Sequence, residues 1–303
     1  MNSLRISIVQ YLNTAPLVRG FTHGPIRGKY QLSFTVPSQC AAALGARDVD
    51  IAIIPTIELQ RIDGLVALPN LSIASKKSVR SLLLVSKKPI HEVRRIALDR
   101  SSRSTQALVR ILCAKRWQIS PEFVEAEPNL PAMLQQTDAA LLIGDPALRL
   151  AINSERHGQR TTEGELLFPG EVAAVPISSP LFLYDIVEKW RALTSLPAVL
   201  AVWAARQAAV TPEVVRDFQE SHAFGMQHLE EISSEASREL DLPAQKISRY
   251  LTENIDYTLD AENLRGLQRY YDLAAELGLI KEAKPLQITS FESARELEAA
   301  RRA

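Results

Sequence analysis

Residues 5–17 read Arg-Ile-Ser-Ile-Val-Gln-Tyr-Leu-Asn-Thr-Ala-Pro-Leu, an apolar run that passes through a polar turn straight into a helix start. The same order recurs in Leu32–Val36 followed by Pro37-Ser38-Gln39-Cys40, and in Val49–Ile54 followed by Pro55-Thr56. Short β-branched runs bounded by Pro and Ser, with helical patterns between them, indicate βαβ units and a mostly parallel sheet. The fold class is α/β. In an open sheet of this kind the carboxyl ends of the strands face the ligand crevice, which places Tyr11, Asn13 and Thr14 beside whatever is bound.

A chain of 303 residues, 46% of them hydrophobic, is too long for one ordinary domain, so two lobes are expected. The strand count restarts after Ser81–Ser86 and Lys87-Lys88-Pro89. Strand Ile96–Leu98, helix Thr105–Arg116, strand Phe123-Val124, a short helix near Leu130–Gln135 and strand Ala139–Ile143 follow. Leu196–Ala204 is another buried extended run, and everything beyond it reads as helix. A chain that leaves lobe 1 near Val85, builds lobe 2 and returns near Pro197 makes a two-lobed clamshell with two hinge crossings. Lobe 1 is then residues 1–85 and 197–303, and lobe 2 residues 86–196. Apolar stripes at Phe218, His222, Met226 and Leu229, and at Leu264, Leu267, Tyr271, Ala274 and Leu277, mark the C-terminal third as scaffold helices. Thr211-Pro212-Glu213 and Asp241-Leu242-Pro243 read as helix starts, and Phe291–Ala303 as a solvated helix.

Lys+Arg 35 against Asp+Glu 35 removes any electrostatic case for nucleic acid or an anionic membrane, which leaves a small-molecule partner. The N-terminus shows no basic region followed by a long apolar core, and no apolar run approaches the roughly 20 residues of a membrane span, so a cytoplasmic protein is expected. Cys40 and Cys113 read as small buried hydrophobes. No Walker loop, GxGxxG after the first strand, HExxH, paired-Cys zinc spacing or GxSxG elbow occurs, and no cofactor or metal is expected. The five histidines lie outside the strand-end motifs, so acid–base work resting on a conventional His is not expected.

Two strand-to-helix junctions carry further candidate chemistry. Leu98-Asp99-Arg100-Ser101-Ser102-Arg103-Ser104-Thr105 sets hydroxyls and an arginine around a helix N-terminus, where free N–H groups and the positive dipole end suit a carboxylate or phosphate. The plain alternative is that Ser102 or Ser104 caps the helix. Ala139–Ile143 ends in Gly144-Asp145; the glycine admits close approach of backbone to a ligand, and Asp145 either caps the next helix or faces the cleft, the cap being the simpler expectation.

Tyr11-Leu12-Asn13-Thr14-x-Pro16-Leu17, Pro37-Ser38-x-Cys40, Asp50–Pro55, Ala97-Leu98-Asp99-x-Ser101-Ser102-Arg103, Ala140–Asp145 and Trp190-x-x-Leu193-Thr194-x-Leu196-Pro197 together resemble the chorismate dehydratase family of the futalosine route to menaquinone. Each motif alone is weak; six in order across residues 5–206 are specific. Gln10 stands where Asn is common, Lys76-Lys77-Ser78-Val79 where Asp-Gly-Pro-Val is usual, and Ser195 where Gly is usual. The stretch from Asn153 to Ser179 is longer than the family norm.

The resemblance implies the type II periplasmic-binding-protein fold in a cytoplasmic enzyme that dehydrates chorismate to 3-[(1-carboxyvinyl)oxy]benzoate. Loss of the hydrogen on the ether-bearing ring carbon spreads charge into the ring carboxylate as an extended enolate, and loss of the neighbouring hydroxyl makes the ring aromatic. Such chemistry needs positioning and charge stabilisation more than a strong base. By place in the motifs Asn13 and Ser81 are the expected catalytic residues, with the substrate's enolpyruvyl carboxylate as base. Tyr11, Thr14, Ser38, Ser102, Arg103, Ser104, Thr105, Gly144 and Asp145 are the expected substrate contacts. The plain alternative for Asn13 is a helix cap. The sister enzyme 1,4-dihydroxy-6-naphthoate synthase carries a His at the counterpart of Gly144-Asp145, which this sequence lacks; a non-catalytic carboxylate-binding protein is the more distant alternative.

Overall fold

The computed structural model describes residues 3–160, 166–170, 175 and 180–289. The helix expected over Phe291–Ala303 lies outside them, as does part of the long stretch before Ser179.

The strand-to-helix grammar of the opening residues becomes β1 (Arg5–Val9), α1 (Ala15–Thr22), β2 (Gln31–Thr35), α2 (Pro37–Ala46) and β3 (Ile51–Pro55). β1 pairs in parallel with both β2 and β3. Two strands complete this sheet. β4 (Leu65–Ser75) is an edge strand, and β12 (Ala198–Arg206) inserts antiparallel between β3 and β4, giving the order β2-β1-β3-β12-β4. The sequence reading has no β4, whose run carries Pro69, a residue that strands tolerate chiefly at edges. The structure accommodates it at an edge, where the register slips between Ala67 and Ser72 and Asn70 turns to φ +63°.

The second sheet holds β5 (Leu82–Ser86), β6 (Arg95–Asp99), β7 (Glu122–Ala126), β8 (Ala139–Ile143), β9 (Gln159–Arg160), β10 (Leu166–Phe168) and β11 (Leu181–Asp185), in the order β7-β6-β8-β5-β11-β10-β9. Its helices are α3 (Arg103–Leu112), α4 (Leu130–Gln136), α5 (Gly144–His157) and α6 (Ile186–Thr194). β5 was expected as the end of lobe 1. It lies wholly in the second sheet, paired with β8 and β11, so the chain passes from first sheet to second within Lys76–Ser81, earlier than a boundary at residue 85. All five residues of β5 are buried, as befits an interior strand. The return passage is Ser195–Pro197, where Ser195 ends α6 at φ +61°, the left-handed position that favours the family's glycine.

The C-terminal helices are α7 (Pro212–Gln227), α8 (Leu229–Leu240), α9 (Ala244–Arg249) and α10 (Ala261–Glu276). Thr211 caps α7 by accepting from Val214 N, whereas Asp241 ends α8 at φ +52° instead of opening the next helix. α7 lies so close on α1 that a Cβ at Gly225 would sit 1.9 Å from the Pro16 carbonyl oxygen, and one at Gly20 2.4 Å from Ser221 Cα. That backbone contact fixes α1, and with it the turn that carries Asn13. α8 and α9 reach the second lobe through Arg149 Nε to Leu240 O at 3.1 Å and Lys246 Nζ to Glu155 Oε2 at 2.9 Å. No helix among the described residues is long and apolar enough to cross a membrane.

Candidate active site

The turn at the carboxyl end of β1 meets the N-terminus of α5 across the two lobes. Leu12 N donates to Asp145 Oδ1 at 3.0 Å, and the Tyr11 ring lies on Gly144. Only glycine allows this: its φ is +68°, and a Cβ would stand 2.7 Å from Tyr11 Cε1. Gly144 N in turn donates to the Ser81 carbonyl at 2.8 Å. Asp145 does not cap α5, whose N-cap is Ile143, so the cap expectation is corrected: its carboxylate ties one lobe to the other. Burial pushes that carboxyl up to about 6 against the pull of the Leu12 N–H.

Asn13 sits in a single 3₁₀ turn, Leu12–Thr14, and neither it nor Thr14 makes a side-chain cap bond to α1. Its Oδ1 accepts from Thr14 Oγ1 at 3.3 Å. Tyr250 donates to Ser81 Oγ at 2.9 Å. The turn that holds Asn13, at a strand end of the first sheet, and Ser81, at the passage into the second, both meet the Gly144-Asp145 junction, through Leu12 N and the Ser81 carbonyl. Ser81 is aimed by Asp185, whose Oδ2 accepts from Arg80 N at 2.6 Å while Oδ1 accepts from Val79 N and caps α6 through Val187 N and Glu188 N.

The α3 junction divides. Asp99 Oδ1 accepts from Ser101 N at 2.9 Å and Ser101 Oγ at 2.7 Å. Ser101 reaches the first lobe through its carbonyl, which accepts from Ser38 N at 3.1 Å. Burial raises the Tyr11 phenol and the Asp99 carboxyl, the Ser101 contact opposing both. Ser102 Oγ donates to Thr105 Oγ1 at 2.7 Å, and no side chain caps α3, so the cap alternative for Ser102 and Ser104 is set aside. Ser104 and Arg103 are not gathered with the others. Ser104 Oγ accepts from Ile57 N at 3.2 Å and lies 3.3 Å from Thr56 Oγ1; Arg103 Nη1 pairs with the buried Glu58 at 2.9 Å. Both belong to the seam between the lobes, because the turn after β3 supplies polar groups that the sequence reading did not set against α3.

Tyr250, Asp185, Ser101 and Glu58 are the residues sequence reasoning missed. Ser101 lies in a quoted motif, but nothing local marks the other three. Cys40 and Cys113 are buried free thiols, raised by burial to about 11 and about 12. His222 stands on its apolar stripe against the Tyr257 ring, its pKa lowered by burial.

Two lobes built on separate sheets, linked by two passages and closed over the strand ends, define the periplasmic-binding-protein fold. AF1704 from Archaeoglobus fulgidus matches it with TM-score 0.67 and 18% identity over 91% of this chain and 98% of its own. The periplasmic aliphatic sulphonate binding protein SsuA from Escherichia coli matches with TM-score 0.59 and 16% identity over 96% of each chain. The family model for menaquinone biosynthesis matches residues 4–276, and the chain belongs to that family. Among curated relatives, the chorismate dehydratase of Thermus thermophilus is 28% identical over 283 residues, covering 90% of this chain and 95% of the relative.

Proposed function

We propose that this protein is a chorismate dehydratase, a hydro-lyase that converts chorismate to 3-[(1-carboxyvinyl)oxy]benzoate and water. The observation that carries the reading is the meeting, at the β8–α5 junction of the lobe seam, of the turn that holds Asn13 and of Ser81, which Tyr250 bonds. An amide and two hydroxyls are poor bases and good fixed dipoles, which suits a reaction whose barrier lies in charge spreading over a ring. Family membership and the Thermus relative support the same reading.

In this scheme the uncapped first turn of α3, with Ser102 and Thr105, holds a substrate carboxylate. Tyr11, Thr14, Ser38, Gly144 and Asp145 shape the seam around the ring. Asn13 hydrogen-bonds the reacting region, Ser81 orients the substrate, and the substrate's enolpyruvyl carboxylate removes the ring hydrogen. The enzyme works in the cytoplasm, which cell fractionation tests. Incubation of purified protein with chorismate, followed by mass spectrometry, should show a product lighter by one water with an aromatic ultraviolet spectrum. Chorismate that binds and is recovered intact would instead favour a carboxylate-binding protein.

A further inference from the structure

Tyr250 opens the π-helical turn Tyr250–Asn254 that extends α9, in a stretch of chain that otherwise serves as scaffold. It is fully buried, and burial holds its phenol well above the ordinary value, so the hydroxyl keeps its proton at any working pH. A phenol has one proton to give. Tyr250 gives it to Ser81 Oγ at 2.9 Å.

The direction of this bond is thus set, from Tyr250 to Ser81. The Ser81 proton is left with only the Val79 carbonyl, 3.4 Å away, a distance at which a hydroxyl bond is weak. We infer that Tyr250 is a positioning residue for the reaction, occupying a lone pair of Ser81 Oγ so that Ser81 presents its proton, and not that lone pair, to an oxygen of the substrate. The inference rests on the dehydratase reading and adds to it a residue 169 positions from Ser81 in sequence. Hydrogen bonds in series polarise one another, so the terminal donor is a stronger one than an isolated serine.

Tyr250→Phe removes the hydroxyl and keeps the ring. The expected result is a kcat lowered at least tenfold with KM within about threefold of wild type, the pattern of an interaction made in the transition state. Because Tyr250 acts through Ser81, Tyr250→Phe combined with Ser81→Ala should be no slower than Ser81→Ala alone, whereas a merely structural role would make the two losses multiply. An unchanged kcat in Tyr250→Phe, or multiplying losses, overturns the inference. Should that variant not fold, 3-fluorotyrosine at position 250 retains ring and hydroxyl and makes a stronger donor; kcat at or above wild type is expected, and a tenfold fall counts against the inference. Wild-type protein that yields no aromatic product refutes the dehydratase reading instead. The hydrogen-bond chain is then tested by thermal denaturation, where the two substitutions should be non-additive in Tm and additivity overturns it.

Discussion

Asp145 offers a direct test of how the lobes are held, because its carboxylate is taken out of water to reach the other lobe. Burial lifts its pKa from the ordinary 3.8 to about 6, with one backbone N–H, from Leu12, in compensation. Between these two values the folded protein binds more protons than the unfolded chain, so the contribution of Asp145 to stability falls as pH rises through that window and is flat above about pH 7. At about 1.4 kcal/mol per pKa unit the ionised group costs about 3 kcal/mol at pH 7.5 and about 1.6 kcal/mol at pH 5. Asp145→Asn keeps an oxygen for Leu12 N and cannot ionise. Its stability advantage over wild type should therefore grow by about 1.4 kcal/mol between pH 5 and pH 7.5, or about 2 °C in Tm for a chain of this size. Asp185, also raised to about 6 by burial, titrates in both proteins and cancels in the difference. Thermal scans of the pair at both pH values are the assay. A constant difference, or a wild type that gains on the variant as pH rises, would refute the argument that desolvation governs this carboxylate.

Asn13→Ala should bind chorismate almost normally and turn it over about a hundredfold more slowly, the scale seen when a charge-stabilising donor is lost; steady-state kinetics with a binding titration check it. Gly225→Ala would drive a Cβ to 1.9 Å from the Pro16 carbonyl, so α7 must move off α1, and chemical denaturation should show a loss of at least about 1–3 kcal/mol. A crystal grown with sulfate should show an anion at the first turn of α3. Ser102→Ala with Thr105→Ala should raise KM several-fold, and an unchanged KM would confine that turn to a structural role.

What was legible in the sequence lay at strand ends, where the signals are local. Val9 to Thr14 and Ile143 to Asp145 each place an apolar strand, a turn and a helix start within a few residues, and the structure brings these two ends together. What was illegible depends on partners distant in the chain. Arg103 looks like an anion ligand beside its serines, yet Glu58, 45 residues earlier, claims it. β4 was not read from the sequence, and only the neighbouring β12 reveals that the chain pairs on both sides of the irregularity at Pro69 and Asn70. Lys76 departs from the family's Asp, and its ammonium lies among Asp256, Asp260 and Glu262, so at the start of the passage the charge is reversed and the reversal is paired.

The seam also bears on how a fold shared with ligand-binding proteins serves a catalyst. Its cross-lobe polar contacts are spread out: Leu12 to Asp145, Ser38 to Ser101, Ile57 to Ser104, and Arg103 to Glu58. Each is worth about 1 kcal/mol net, the ionic pair somewhat more, so closure rests on several small contributions, any one of which can be given up. Lobes held in this way can reopen to release product, while the closed state keeps Asn13, Tyr250 and Ser81 in register. A binding protein needs only the first property. The dehydratase needs the second as well, because dipoles that are already oriented need no reorganisation as charge spreads through the ring.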